Sequence, residues 1–251
     1  MSPARVRETT TGDYYEERLR QDGYLAGRRE KARIVAHLCA DDLRSATAIA
    51  DLGTGTGIIK KELQREFGKY IVGFELSGST MKESEGMVRA DILHLPAADA
   101  AFDFAMLNHV YEHVPEPARL FEETFRVLRP GGRAYVTAGN RFALVEPHYR
   151  LPLLSWMPAG AADAYLRLTG RGLRYRGIRF LTYRKLIAAM AAPGFRVRDI
   201  TRRAIDELVE ASWGSAWARF WRPIRALPAE VTDRVLRLAS PQWFFLLERS
   251  S

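Results

Sequence analysis

The fold of this chain is decided by residues 49–57, Ile-Ala-Asp-Leu-Gly-Thr-Gly-Thr-Gly. An apolar stretch typical of a β-strand runs straight into a glycine-rich turn, and residues 58–63 continue as a helical segment. Glycine has no Cβ, so a turn built from three glycines lets the backbone bend tightly and approach a bound ligand. The sequence therefore predicts a strand, a ligand-binding loop and a helix, in that order.

The spacing of these glycines bears on the ligand. A dinucleotide-binding loop follows the pattern Gly-x-Gly-x-x-Gly, which would place its third glycine at position 58, where this chain has Ile58. Asp51 also places a carboxylate at the strand end, where a pyrophosphate would need backbone N–H groups and no adjacent negative charge. The loop therefore favours a ligand with a cationic end.

The pattern Asp-x-Gly-x-Gly-x-Gly resembles the first motif of the class I S-adenosylmethionine-dependent methyltransferases, of the methyltransferase domain 11/25 type. Further motifs of that family follow in its order at 70–75, 89–96, 102–108, 112–114 and 128–132. The resemblance implies S-adenosylmethionine as the cofactor, S-adenosylhomocysteine as the product, and no metal. The spacing of Glu75 places its carboxylate where it can accept both ribose hydroxyls. The cofactor-binding residues expected are Asp51, Gly53, Thr54, Gly55, Gly57, Glu75, Leu76, Asp91, Ile92 and Asn108.

Strand-like and helix-like segments alternate along the chain. This alternation predicts an α/β fold with a parallel sheet covered by helices on both faces. The resemblance implies a Rossmann-like, mostly parallel sheet of seven strands whose last strand is antiparallel, with helical insertions capping the acceptor site. The predicted strands are 46–52, 70–75, 87–90, 102–108, 133–138, 195–200 and 243–247; the predicted helices are 13–40, 57–67, 79–85, 117–128 and 182–192.

We expect one domain in which insertions cover the acceptor site. Its expected parts are an N-terminal helical cap (1–45), a cofactor-binding core (46–139), an insertion over the acceptor site (140–180), a core helix and strand (181–201), a helical aromatic and basic insertion (202–240) and the final strand (241–251).

Candidate acceptor-side residues follow the predicted strands. His148 lies in the loop after the fifth strand, and a histidine is suited to taking a proton from a hydroxyl or amine near neutral pH. His109 directly follows the strand 102–108 and is the competing candidate for a catalytic residue. For both, a purely structural role is the alternative. Candidate acceptor contacts are Tyr149, Arg150, Trp213 and Trp217.

The sequence does not decide the roles of two segments, the tryptophan-rich segment at 213–221 and the basic segment at 164–198. Trp213, Trp217 and Trp221 recur every four residues, which predicts one aromatic stripe on a helix. Such a stripe serves a packed cap, an acceptor-pocket wall or a helix at a membrane surface. Residues 164–198 contain Lys and Arg but no acid, which suits an anionic partner or a solvated basic face.

Composition narrows the function classes. The chain has 251 residues, a net charge of +8 and a single cysteine, Cys39, which excludes an internal disulfide and a thiolate zinc cluster.

The pattern from His109 to His113 resembles a zinc-protease motif, but Pro115 and Pro117 interrupt the helix which that chemistry needs. No apolar run reaches the roughly 18 residues of a membrane span, and no early apolar run resembles a signal peptide, so we expect neither feature. We expect a cytoplasmic protein.

The favoured function is O-methylation of a small hydroxylated acceptor, such as a sugar, a glycoside or a secondary metabolite. The alternatives are C- or N-methylation, methylation of a lipid-linked or prenylated acceptor at a membrane surface, and a non-catalytic cofactor-binding scaffold. The expected partner is a small molecule, with an anionic or glycosylated acceptor and transient membrane contact left open. Nucleic acid is disfavoured because the motifs for exocyclic amines and cytosine C5 are absent. The sequence leaves the oligomeric state open.

Overall fold

The computed structural model describes residues 22–77, 85–146, 148–175, 178–211 and 221–250. The strands are β1 (Ile49–Leu52), β2 (Ile71–Glu75), β3 (Met87–Arg89), β4 (Phe102–Asn108), β5 (Leu128–Gly139), β6 (Val145–Glu146), β7 (Leu151–Pro152), β8 (Phe195–Asp199) and β9 (Gln242–Arg249). Seven of them form one sheet in the order β3-β2-β1-β4-β5-β9-β8, and β6 pairs with β7 in a separate hairpin. The last strand, β9, is antiparallel to both of its neighbours, whereas the other pairs of the large sheet are parallel.

The strand order reverses between β1 and β4, at the centre of the sheet. Asp51 on β1 is in register with Gly73 on β2 and with Met106 on β4. Asn108, at the end of β4, is in register with Thr137 on β5. In an open parallel sheet, ligands bind beyond the carboxyl ends of the strands at this reversal. Asp51 and Asn108 both lie at that edge.

Helices cover both faces of the sheet. They include α1 (Asp22–Leu38), α2 (Ala40–Ser45), α3 (Ile58–Phe67), α4 (Pro117–Val127), α5 (Ala159–Leu168), α6 (Tyr183–Ala191), α7 (Thr201–Ala211) and α8 (Ala229–Ala239). Alternate residues of β4 pack into the hydrophobic cores on opposite faces of the sheet. Phe104 and Met106 pack with helices α1, α3 and α7. Ala105 and Leu107 pack with helices α4 and α6. Burial on both faces explains why β4 is apolar almost throughout.

Local sequence signals set the ends of α3, the helix after the glycine-rich loop. Gly57 precedes the helix with a left-handed φ of 72°, and Gly68 ends it with a φ of 63°. The N–H of Gly68 donates to the carbonyl of Gln64, which satisfies one of the last free carbonyls of the helix. This helix therefore begins and ends within a residue of its predicted bounds of 57–67.

The chain segment after β5 forms its own small unit beside the sheet. The hairpin β6–β7, a short 3-10 turn at Leu154–Trp156 and α5 pack around a cluster of four buried residues, Leu151, Leu154, Ala162 and Leu166. This unit begins directly after the carboxyl end of β5. It is therefore held next to the edge of the sheet where a ligand is expected.

The structure differs from the sequence predictions mainly at the ends of elements. Residues 46–48 were predicted as strand, but β1 begins at Ile49 because the Asp103 carboxylate accepts the N–H groups of Thr47 and Ala48. The predicted helix 13–40 is described from Asp22, ends at Leu38, and is followed by the separate helix α2. Residues 78–84 hold nearly all of the predicted helix 79–85, and they lie outside the described residues.

None of the helices in the described parts of the chain is long and apolar enough to cross a membrane.

Candidate active site

The glycine-rich loop leaves open space at the end of β1. Gly53 and Gly55 have left-handed φ angles of 71° and 58°, which residues with a Cβ rarely adopt. A Cβ on Gly53 would lie 2.9 Å from the Val110 side chain, whereas a Cβ on Gly55 would meet no heavy atom within 4 Å. Gly53 is therefore required by packing, and Gly55 borders a space that a ligand can fill.

Asp51 is buried beneath this loop. Its Oδ2 accepts a hydrogen bond of 2.6 Å from the hydroxyl of Thr54. Burial raises the pKa of Asp51 to about 6, although the Thr54 hydrogen bond and the nearby cations Arg28 and Lys60 act in the opposite direction. A carboxylate that is costly to ionise in isolation gains most from a cationic ligand beside it.

Glu75, at the end of β2, is bound to the loop itself. Its Oε2 accepts a hydrogen bond of 2.8 Å from the N–H of Gly55, and its Oε1 accepts one of 3.1 Å from the N–H of Ser77. The next residue, Leu76, has a largely exposed side chain. The carboxylate of Glu75 thus lies beside the open space at Gly55.

Two further predicted residues lie at the next strand. Asp91 follows β3, its side chain is half exposed, and its Oδ1 accepts a hydrogen bond of 2.9 Å from the N–H of Leu93. Ile92 is buried against the core on the α4 side of the sheet. The structure therefore places the polar side chain of Asp91 and the apolar side chain of Ile92 next to each other in the chain after β3.

Asn108 carries an unsatisfied donor. Its Nδ2 is buried and has no hydrogen-bond partner among the residues that the structure describes. The Oδ1 of the same side chain lies 3.5 Å from the hydroxyl of Thr137. A buried amide donor without a partner costs roughly 1–3 kcal/mol, so a ligand atom that accepts from it would stabilise the site.

His109 has both ring nitrogens engaged. Nδ1 lies 3.0 Å from Oε1 of Glu112, and Nε2 lies 2.9 Å from the side-chain amide of Gln242 on β9. Burial lowers the pKa of His109, and the charge of Lys31 lowers it further. The sequence predicted neither contact: the motif at 112–114 does not specify a partner for Glu112, and Gln242 is distant in the chain.

His148 is held by a buried carboxylate. Its Nδ1 lies 2.7 Å from Oε1 of Glu146, whose side chain is fully buried, and the other oxygen of Glu146 accepts the N–H of Tyr149. The His148 ring packs against the rings of His113 and Phe180. This pairing fixes the orientation of an imidazole in the loop after β5.

A cavity of about 540 Å³ lies between α1 and the segment after β5. It adjoins the sheet edge, since Arg28 acts electrostatically on Asp51, and Lys31 acts on His109. Its volume suits a small molecule. The residues that line it are Gly23, Tyr24, Gly27, Arg28, Lys31, His148, Tyr149, Arg150 and Arg171.

The cavity brings together some predicted acceptor residues and others that the sequence analysis missed. His148, Tyr149 and Arg150 were predicted, and all three line it. Arg28 and Lys31 also line it, although neither was among the predicted site residues. Their three-residue spacing places them on one helical face, and this was the available signal. Trp213 and Trp217 lie outside the described residues.

A profile of known protein families, described as a methyltransferase domain, matches residues 50–136. That match contains the glycine-rich loop, Asp51, Glu75, Asp91 and Asn108, on a seven-stranded sheet with an antiparallel last strand. Residues 50–136 are a class I S-adenosylmethionine-dependent methyltransferase domain.

Known methyltransferases similar to this chain differ in the pathways or reactions that their names state. The ubiquinone biosynthesis O-methyltransferase of Parvibaculum lavamentivorans is 25% identical over 186 residues, which are 68% of this chain and 65% of that protein. The demethylmenaquinone methyltransferase of Thermobifida fusca is 30% identical over 138 residues, 51% of this chain and 57% of that protein. The chain thus covers less than two thirds of the length of either curated relative.

A solved structure extends the likeness over nearly the whole chain. The S-adenosylmethionine-dependent methyltransferase from Archaeoglobus fulgidus superposes with a TM-score of 0.59 at 16% identity. The superposition covers 93% of this chain and 97% of that one. At this identity the likeness concerns the fold.

Proposed function

We propose that this protein transfers the methyl group of S-adenosylmethionine to a hydroxyl group of a small acceptor, such as a sugar, a glycoside or a secondary metabolite. The observation that carries the proposal is His148, which lines the cavity and is held by the buried carboxylate of Glu146 at 2.7 Å. A hydroxyl oxygen must lose its proton when it takes up a methyl group. A histidine oriented by a carboxylate is suited to accept that proton.

The residues around the glycine-rich loop fit the cofactor. The space at Gly55 admits a ligand, the buried Nδ2 of Asn108 lacks an acceptor within the described part of the chain, and Asp51 is a buried carboxylate. When bound, S-adenosylmethionine supplies a methyl carbon that the neighbouring sulfonium makes electrophilic.

Each residue of the loop region has a role in this proposal. Asp51 attracts the cationic end of the cofactor, and Glu75 accepts the ribose hydroxyls with the lone pairs that Gly55 and Ser77 leave unused. Asp91 and Ile92 contact the adenine, the first through its carboxylate and the second through apolar surface.

The proton transfer is assigned to the pair of His148 and Glu146. With its proton on Nδ1, His148 donates to the Glu146 carboxylate and carries its basic lone pair on Nε2. As the acceptor oxygen bonds to the methyl carbon, the carbon–sulfur bond would break and leave S-adenosylhomocysteine as a neutral thioether, and Nε2 of His148 would take the hydroxyl proton. Glu146 is a positioning residue, because it fixes the ring and stabilises the imidazolium that results.

The test is to incubate the protein with S-adenosylmethionine carrying a ¹³C-labelled methyl group and a panel of hydroxylated small molecules. The ¹³C shift of the product identifies the atom that was methylated. A methyl group on oxygen supports the proposal, whereas one on carbon or nitrogen replaces it with the corresponding alternative. Tight cofactor binding by calorimetry without turnover on the panel or on metabolite extracts would favour a non-catalytic scaffold.

A second candidate acceptor is a lipid-linked or prenylated molecule at a membrane surface. Apolar side chains are exposed on and beside the β6–β7 hairpin, with Leu144 at 61%, Val145 at 49% and Leu153 at 42% of their surface. Grouped apolar side chains on a surface favour contact with a membrane or an apolar partner. Co-sedimentation with vesicles that is lost in Leu144→Ser and Leu153→Ser, and kept in the matched variant Leu238→Ser on α8, would support this candidate.

A further inference from the structure

Cations line the cavity from two separate parts of the chain. Arg28 and Lys31 project from α1, whereas Arg150 and Arg171 come from the segment after β5. Among the described residues, the lining contains no Asp or Glu. The cavity therefore brings together positive charges from two distant parts of the sequence, unlike a basic stretch along a single helix.

None of these cations forms an ion pair within the described part of the chain, although the carboxylates of Asp51 and Glu112 act on Arg28 and Lys31 from farther away. None of the four has a carboxylate within 4.0 Å there, whereas Arg126 on α4 lies 2.7 Å from Asp99 and 2.9 Å from Glu123. The contacts they do make leave their charge intact. Nε of Arg28 donates to the hydroxyl of Tyr24 at 3.1 Å, and Nη1 of Arg171 donates to the carbonyl of Tyr149 at 3.5 Å.

Placing like charges together in a cavity costs electrostatic free energy, and the lowered pKa of Lys31 reflects this cost. Burial, together with the positive charge of Arg28, lowers the pKa of Lys31 to about 8, although the charge of Glu112 acts in the opposite direction. Arg150 also has a left-handed φ of 54°, a conformation that costs a residue with a Cβ about 1–2 kcal/mol. An anion in the cavity would offset the charge repulsion.

We propose that the cavity binds a phosphate group on the acceptor, held by Arg28, Lys31, Arg150 and Arg171. This inference rests on the proposed function, because it takes the cavity as the acceptor's site. A phosphate monoester carries a charge of about −1.5 to −2 and three strong acceptor oxygens, which suits several converging cations better than a single carboxylate does. Guanidinium groups bind phosphate through paired hydrogen bonds, and three of the four cations are arginines.

The experiment is calorimetric binding of glycerol 3-phosphate to the full chain at constant ionic strength, with glycerol and lactate as the neutral and carboxylate comparisons. We expect glycerol 3-phosphate to bind at least about tenfold more tightly than lactate, and glycerol not to bind measurably. The titration is repeated with the protein saturated in S-adenosylhomocysteine. Binding that persists supports an acceptor site, whereas displacement would overturn the proposal by assigning the cations to the carboxylate of the cofactor.

Variants test the individual cations. Arg150→Asn removes the charge while keeping a residue that tolerates left-handed φ, and Arg171→Gln removes a second cation. Each should weaken glycerol 3-phosphate at least about tenfold, as expected for a lost charge-assisted hydrogen bond. Arg234→Gln, on the exposed face of α8, is the matched control and should bind as the wild type does. Equal affinity in all three variants would overturn the proposal.

Two further comparisons distinguish a lipid phosphate from a soluble phosphate ester. They also distinguish a failure of this proposal from a failure of the proposed function. Binding to phosphatidic acid vesicles but not to phosphatidylcholine vesicles, with weak binding of glycerol 3-phosphate, would assign the site to a lipid phosphate. Strong binding of the soluble ester alone would assign it to a free metabolite. Because these titrations involve no methyl transfer, a methylated carbon or nitrogen would refute the hydroxyl proposal and leave the phosphate result intact.

Discussion

Glu75 accepts a hydrogen bond of 2.8 Å from the N–H of Gly55, a residue 20 positions earlier in the chain. This bond joins the acid at the end of β2 to the middle of the glycine-rich loop. The acid that we assign to the ribose thus also holds the loop in its left-handed conformation. Changes at Glu75 should therefore affect both the ligand contact and the shape of the loop.

Replacement of Glu75 tests this double role. Glu75→Ala should weaken S-adenosylmethionine by about 1.5–3 kcal/mol for each charge-assisted hydrogen bond that is lost. Glu75→Gln should weaken it less, because the amide oxygen still accepts from Gly55 or from a ribose hydroxyl. Isothermal titration calorimetry gives both affinities. If the two variants bind the cofactor as the wild type does, Glu75 is not its ribose ligand.

Gly55→Ala tests whether the space at the loop belongs to the cofactor. A Cβ there meets no protein atom within 4 Å, so the variant should fold, with a loss of stability of about 1–2 kcal/mol from the left-handed backbone. Cofactor affinity should fall about tenfold or more, because the added methyl group occupies the space of the ligand.

The matched control for Gly55→Ala is Gly68→Ala at the end of α3. Gly68 has a similar φ of 63° and equally open surroundings. Thermal unfolding should show a similar loss of stability, while calorimetry should show unchanged cofactor affinity. A parallel loss of affinity in both variants would mean that backbone strain, and not the occupied space, lowers the affinity at Gly55.

Asp51→Asn should separate stability from binding. The pKa of Asp51 is raised to about 6, so the folded apo protein loses stability as pH rises from about 4 to about 6, where the unfolded chain ionises first. Removing the charge should therefore stabilise the apo protein at pH 7 by up to about 3 kcal/mol, while cofactor affinity falls. Denaturant unfolding and calorimetry measure the two effects, and a destabilised variant would contradict the assigned cost of ionisation.

The affinity for S-adenosylmethionine should depend on pH through the same group. Below about pH 6 Asp51 binds a proton and no longer attracts the cationic end of the cofactor, so affinity should fall as pH drops through that value. In Asp51→Asn this dependence should disappear. A wild-type affinity that stays constant between pH 5 and pH 8 would argue against a direct contact with Asp51.

His148→Asn addresses the chemistry. With a hydroxylated acceptor, turnover should fall roughly 10²–10⁴-fold while cofactor affinity is unchanged. Glu146→Gln, which keeps a hydrogen-bond acceptor but removes the charge, should lower kcat more than it raises KM.

Two histidines serve as comparisons for His148→Asn. His109→Asn removes the competing candidate, and we expect a smaller effect on kcat because both ring nitrogens of His109 already have protein partners. His37→Asn, at the exposed end of α1, should leave turnover unchanged. A larger loss in His109→Asn than in His148→Asn would move the assignment of the base to His109.

Much of the fold follows from local sequence. The alternation of strand-like and helix-like segments predicted the first five strands of the large sheet to within about five residues, and the family resemblance supplied the last two. The glycine-rich loop was equally local, since only glycine accepts the φ of 58° at position 55 without strain. Chain order then placed Asp51, Glu75, Asp91 and Asn108 at the ends of their strands.

The sequence by itself determined the order of the elements, the glycine-rich loop and the acids at the strand ends, because these depend on contacts between near neighbours. Only the tertiary structure decided which side chains meet across the chain. It brings His109 within hydrogen-bond distance of Gln242 on β9. It also places Arg28 and Lys31 in the same cavity as Arg150 and Arg171. The physical reason is that α1 packs on the sheet while the segment after β5 packs around a separate cluster beside it, and no periodicity within either segment specifies its partner.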